Sequence, residues 1–482
     1  VRGADVDASL GETIRDQCEA AGLTLDGRLA NVADALARHS EAAQRAPSYA
    51  QVNHYAQREG LPEPTPEVWL ASAGDAGQLL PSVTDAIREA THKSKLSHCG
   101  GAIVREGNRL VVALAWSARL VDLDLDVPAQ LESKASARLR GKLLGDLKKP
   151  VLAVTDPSGH VSRSALGEAR SFDHNLTFPE RGMYAIELLG EGAAGVAVVA
   201  NFPIAVGVAR DNGSPKGDDG PVEANAEEVI RSLAALIAKE REQRKLPPLT
   251  LDTRLAKIAQ SHCQDMLANG FIAHTSPSTG EASNRVSRAG LAATVVLENI
   301  GRGYSASEIH QGLMESPGHR GNILSPDARE LGIGVVSESE GGRLAFLTTE
   351  LFTRLAREVS IADAPDVVAR DLQVLRREKR LKPIKFDAGL AKAAQQAADR
   401  LAADPTLDQG DLLERATENV QTPPKGAKAV GAILLLAADL DQVIESERLL
   451  EPKLGWLGVG VARSKAVTAS PLIVVLVFGT SK

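Results

Sequence analysis

Aromatic side chains are scarce in this 482-residue sequence, where Phe, Trp and Tyr together make up 3%. With a hydrophobic content of 43%, its cores must be filled mainly by Ala, Leu and Val. Long apolar runs are also missing. No segment reaches the ~18 apolar residues of a membrane-spanning helix. The longest runs, around 432–438 and 472–477, suit a buried helix and a buried strand. A basic surplus is absent too: the net charge is -7 and the pI about 5.9, which excludes a global attraction to nucleic acid. The one basic run, Arg376-Arg377-Glu378-Lys379-Arg380, is broken by an acid and reads as a solvated helix face. Three cysteines rule out a disulfide-rich scaffold. In an oxidising compartment Cys18 and Cys99 are the natural pair; otherwise they are two buried thiols. Cys263 stands alone in a helical pattern and reads as a buried free thiol. The chain starts without a signal-peptide pattern, which says nothing about targeting, since a mature secreted protein and a trimmed chain would both start so.

The length implies roughly three or four domains at ~100–200 residues each. An internal repeat supplies their outline. LTLDGRLANVAD at 23–34, LTLDTRLAKIAQ at 249–260 and IKFDAGLAKAAQ at 384–395 share one frame, apolar-x-apolar-Asp-x-x-Leu-Ala-x-x-Ala. Asp26, Asp252 and Asp387 precede a helical period, where a carboxylate accepts first-turn N–H groups and complements the positive helix end. Each copy closes on a Gly-rich strand, a polar turn and a second strand, at 99–116, 331–352 and 457–479. This predicts three homologous α+β units, at 1–117, 227–355 and 356–482. Between the first two, 118–208 has short alternating runs parted by Asp-Pro, Gly and Pro turns and reads as a small β-sandwich. Its FPERGMY at 178–184 resembles the strand corner of immunoglobulin-like modules. A Gly-, Asp- and Pro-rich linker is expected at 209–226.

The middle unit alone gathers His274, Glu281, Glu298 and His319 on turn-rich segments. Its motifs run in the order HCQDMLANGFIAHTS, NRVSRAG, ENIGRG, LMESPGHRGNIL and GIGV. In that order they resemble the CAP family, the cysteine-rich secretory, antigen 5 and pathogenesis-related-1 group (SCP or PR-1-like), in its bacterial form. The third unit keeps Glu418-Asn419 where the middle has Glu298-Asn299, but has no histidine, and the first lacks SPGHR. Both resemble degenerate copies. The resemblance implies α-β-α sandwiches with a central cleft that usually holds two His and two acids and in some members a divalent ion. By motif, His274, Glu298 and His319 match that set, with Glu281 the candidate for the second acid.

Three readings of the cluster stand open. It is a polar network that ties loops together, a site for a zinc-like ion held by His274, His319 and Glu298, or a catalytic centre. Asn299 and Asn322 are expected to bond backbone, and Arg320 to pair with a nearby acid. Ser316, three residues before His319, invites a Ser–His reading, but Pro317-Gly318 makes a turn, no G-x-S-x-G elbow appears and no orienting acid is evident. His262 lies on the apolar face of its helix and reads as a core residue. The sequence therefore points to a non-enzymatic extracellular or cell-surface protein used in binding, adhesion or assembly, with an unidentified protein or surface ligand, or itself, as partner. The alternative is metal-dependent ligand binding or hydrolysis at the middle cleft.

Overall fold

The computed structural model describes residues 2–39, 47–64, 66–93, 95–107, 109–124, 130–193, 195–210, 223–340, 343–356, 360–437, 439–463 and 472–481. Most of the expected linker, residues 211–222, lies outside them. The chain forms two compact units, Val1–Ala282 with Leu297–Phe352, and Ser283–Val296 with Thr353–Lys482.

Three four-stranded sheets share one strand order. In the first, Thr24–Leu25 pairs parallel with His98–Glu106, which pairs antiparallel with Arg109–Ser117, which pairs in turn with Glu67–Ala73. The middle sheet runs Thr250–Leu251, Glu330–Glu340, Arg343–Leu355, Ala293–Gly303. The third runs Lys385–Phe386, Leu454–Arg463, Leu472–Thr480, Ala429–Ala437. The last strand takes up 432–437 of the apolar run around 432–438 that the sequence suggested as a helix, residue 438 lying outside the described residues. A short, continuously apolar run has no period that separates the two states, and here pairing with Leu472–Thr480 decides.

Each two-residue strand ends on the repeated aspartate. Asp252 accepts from Arg254 N–H and Leu255 N–H, and Asp387 from Gly389 N–H and Leu390 N–H. Asp26 accepts from Arg28 N–H at 2.8 Å. The helices that follow, Gly27–His39, Thr253–Asn269 and Ala388–Ala403, lie on one face of their sheets. The opposite faces carry Arg2–Ala20 with Ala76–Lys93, Ala226–Gln243 with Ala306–Glu315, and Ala364–Glu378 with Leu440–Ile444. These are α-β-α layers, as expected from the sequence.

Strand glycines set how closely the first-named helices pack. A Cβ on Gly334 would lie 2.2 Å from the Gln260 backbone nitrogen, and one on Gly458 would lie 2.1 Å from that of Ala391. In the first unit Gly100 meets Ala30 N at 2.2 Å in the same way. The helix backbone rests directly on the strand, and no other residue fits.

The reading of the basic run as a solvated face is corrected at its first residue. Arg376 is fully buried and donates to the carbonyls of Lys382, Leu449 and Glu451. Arg241 does the same in the middle unit, with Pro247, Ile323 and Ser325. Both stand eleven residues before their capping aspartate, at the end of the unit's first helix. Each satisfies loop carbonyls that would otherwise be buried without donors.

Residues 118–208 form a β-sandwich. One sheet is Val121–Asp124, Ser136–Leu143 and Ser171–Thr177, with Ser136–Leu143 central. The other runs Gln130–Leu131, Gly195–Val206, Gly182–Gly192, Lys148–Thr155, Val161–Ala165. Leu139, Phe172, Phe178, Tyr184 and Ile186 fill the space between them. The Tyr184 hydroxyl accepts from Glu180 N–H at 3.0 Å and donates to Glu180 O at 3.1 Å.

Cys18 and Cys99 are joined in a disulfide across a separation of 81 residues. It ties the first helix to the strand that carries Gly100. In the chain-entropy picture, closing a loop of that size contributes about 4–5 kcal/mol. Cys263 is free and buried.

Gly334→Ala should destabilise the middle unit by about 3 kcal/mol, because the helix must move off the strand. Gly312→Ala, in a helix where a Cβ meets nothing within 4 Å, should instead stabilise by about 0.5–1 kcal/mol. Denaturant melts of the two variants check the contrast.

Candidate functional site

The site begins where helix Thr253–Asn269 ends on Gly270, at φ 64°. The chain turns there, and Nε2 of His262, inside the helix, lies in hydrogen-bond contact with Ala273 O at 3.0 Å. His262 is thus the hydrogen-bonded core residue expected of it. Two residues after His274, the Ser276 hydroxyl donates to Asp265 at 2.5 Å and accepts from Ser278 N–H and Thr279 N–H. The serine of the H-x-S motif fixes the loop that presents the histidine.

His274 Nδ1 lies 3.0 Å from Glu298 Oε1. Glu298 is buried on strand Ala293–Gly303, and His262 Nε2 is 4.0 Å from the same oxygen. His319 comes from helix Pro317–Ile323, and its ring centroid is 6.3 Å from that of His274. The structure therefore brings His274, Glu298 and His319 together. Glu281 is exposed, immediately before helix Ala282–Arg288.

Asparagines connect the two loops. Asn299 follows Glu298 and points to the other face of the strand. Its amide donates to His319 O at 3.3 Å and to Glu350 Oε2 at 3.0 Å. Asn322 donates to Glu298 O at 3.1 Å and to Asn299 Oδ1 at 3.0 Å. Both do bond backbone, as expected. Among the described residues Arg320 forms no ion pair with an acid: it donates to Gly159 O at 3.2 Å and Met314 O at 3.4 Å. Ser316 caps the helix by accepting from His319 N–H, and its own hydroxyl donates to Glu187. That hydroxyl is engaged on a carboxylate, not on an imidazole, so the Ser–His reading has no geometry.

Sequence reasoning misses two carboxylates. Glu350 is fully buried on the central strand, and its Oε1 has no hydrogen-bond partner among the described residues. Burial pushes its pKa up to about 7, against the hydrogen bond from Asn299 that lowers it. Glu187, on the β-sandwich, is fully buried as well, and burial raises its pKa. The signal for both is an acid inside an apolar strand run, in AIELLG and TTELF. His319 moves the other way: burial, then His274 and Arg163, push it down to about 3, so it is a neutral imidazole at ordinary pH. The Cys263 thiol, pushed up to about 11 mainly by burial, donates to Gly334 O and is inert.

Among the described residues no group of three or more His, Cys, Asp and Glu side chains is placed to hold a metal ion. His274 turns its Nδ1 to Glu298. Hydrogen bonds of Ser276, Asn299 and Asn322 tie two loops and one short helix to the sheet.

Residues 234–352 and 370–478 match the family model CAP, the cysteine-rich secretory protein family. The chain thus carries two segments of the CAP family. The first matched segment holds His274, Glu298 and His319, and the second is the unit without histidine. YkwD of Bacillus subtilis is 33% identical over 107 residues, which is 22% of this chain and 42% of YkwD. The membrane protein YlbC of the same organism is 29% identical over 115 residues, 24% of this chain and 32% of YlbC. The match therefore spans less than half of either curated relative. Among solved structures, an outer surface protein from Borrelia burgdorferi is 20% identical, covering 27% of this chain and 96% of that one, with a TM-score of 0.24. An extracellular SCP-domain protein from Bacillus anthracis is 18% identical over 49% of this chain and 87% of its own, with a TM-score of 0.25. Scores this low support no conclusion by themselves.

The titration of Glu350 gives a test of the site. Its folded pKa lies above the ordinary carboxylate value, so its contribution is fully present below about 4.5 and is lost as pH rises through about 7. Glu350→Gln keeps an oxygen for Asn299 and carries no charge. Its melting temperature relative to wild type should climb between pH 4.5 and 7 and level off above. The opposite contribution of His319, lost as pH falls from 6.5 towards 3, is common to both proteins and cancels. Thermal melts across this range check the expectation; a difference that does not change with pH contradicts it.

Proposed function

We propose that this chain is an extracellular or cell-surface CAP protein that acts, without catalysis, in binding, adhesion or structural assembly. One observation carries the reading: the four-stranded frame occurs three times, while the His274–Glu298–His319 cluster occurs once. Selection for a reaction would not explain a frame kept in copies without the cluster. Within the cluster each polar group serves the fold: the Ser316 hydroxyl faces Glu187, the asparagines hold carbonyls, and His319 is neutral.

The Cys18–Cys99 bridge favours an oxidising compartment. No described helix is long and apolar enough to cross a membrane. We read the β-sandwich as immunoglobulin-like, on its two sheets and on the Tyr184 corner. Such a module suits surface recognition, an analogy from fold alone. The three frames and the sandwich offer broad surface for a protein or cell-wall partner or for self-assembly.

The experiment compares wild type with His274→Ala/His319→Ala. Sedimentation reads self-assembly, and retention on whole cells of the source organism reads surface binding. Both properties should be equal in the two proteins. Loss of retention and assembly in the variant, or their absence from both proteins, contradicts the reading. Melts of dialysed protein with and without Zn²⁺ form a second arm. They should coincide, whereas a rise abolished by the double substitution would establish the metal-dependent alternative.

A further inference from the structure

The β-sandwich and the loops of the middle cleft belong to one compact unit. They meet at the helix that carries His319. On strand Gly182–Gly192, Tyr184, Ile186 and Leu188 point into the sandwich core. Glu187 therefore faces outward, yet it is fully buried, because the middle domain covers it. Its carboxylate accepts from the Ser316 hydroxyl and, at 2.9 Å, from Gly318 N–H. Arg163, on strand Val161–Ala165, donates to Gly318 O at 2.9 Å. The middle domain answers with Arg320, which donates to Gly159 O at 3.2 Å.

The fit is tight on both sides of the cleft. A Cβ on Gly318, next to His319, would lie 2.5 Å from Glu187 Oε1. At the far end of the same sandwich sheet, a Cβ on Gly195 would lie 2.3 Å from Oγ1 of Thr275, next to His274. One sandwich sheet thus touches the immediate neighbour of each cleft histidine. We propose that this sheet is a lid over the His319 side of the middle CAP cleft, latched by Glu187 and Arg163, and that lifting it opens the cleft to ligand.

The chemistry of the latch suits reversible closure. A buried carboxylate loses its water on docking and regains it on release, so its hydrogen bonds fix register more than they add affinity. Glu187 faces Ser316, Gly318 and Arg163, and Arg320, which also crosses the contact, has Arg244, Glu240 and Asp156 as its charged neighbours. The lid concerns access to the cleft and stands whether or not the chain acts by binding.

Hydrogen–deuterium exchange on the full chain tests it, in Arg163→Ala and in Glu187→Gln/Arg163→Ala. Arg163 is exposed, so its removal leaves the fold in place. Exchange across 316–323 should quicken several-fold in the single variant and about tenfold in the double, with Arg343–Leu355 unchanged. Carbethoxylation of His319 by diethyl pyrocarbonate, read by peptide mass, should rise in parallel. Unchanged exchange at 316–323 in Arg163→Ala overturns the proposal, even if the double variant unfolds. Faster exchange with unchanged labelling of His319 marks an interface that covers nothing, and overturns it too.

Discussion

Everything in these units depends on a helix backbone lying directly on a strand. Gly100, Gly334 and Gly458 permit it, each with a helix nitrogen where a Cβ would otherwise stand. The approach fixes the helix, and the helix fixes the aspartate that caps it and the two-residue strand before that aspartate. The parallel pairing of Thr24, Thr250 and Lys385 with the hairpin follows from the same contact. A core poor in aromatics accepts this geometry. Ala and Leu side chains fill the thin space that remains, as in the Leu390, Ala393, Ala394, Ala397 and Ala398 cluster.

On this frame the polar groups divide into two kinds. Some hold the frame: Arg241 and Arg376 gather loop carbonyls, and each stands at the same distance from its aspartate. Others hold the middle cleft: the asparagines join the strand of Glu298 to the helix of His319, and Glu350 lies beneath them with one oxygen unpaired among the described residues. The first kind recurs in the third unit, and the histidines do not. The fold and the cleft are therefore separable, and a match to the CAP family in two segments describes an architecture more than a reaction.

The repeated frame was legible because its signals are local. An aspartate before a helical period and a Gly-rich strand are each readable within a few residues. His274, Glu298 and His319 were legible through ordered motifs. Glu187 and Glu350 were not, since an acid in an apolar strand announces only that something must compensate it, not what does. Arg376 was misread for a related reason. A basic run looks solvated until one of its members turns out to face loop carbonyls seventy-odd residues away. The apolar stretch around 432–438 failed as a helix because partner strands, not its own period, determine the state of Ala429–Ala437.

The central claim is that three equivalent sheets, not one site, carry this molecule. Native-state hydrogen exchange across the full chain measures it most directly. The account predicts that the slowest amides fall in Arg109–Ser117, Arg343–Leu355 and Leu472–Thr480, the strand flanked by a long strand on each side in each sheet. Protection confined to the middle sheet, with the other two exchanging at the rate of loops, would contradict it.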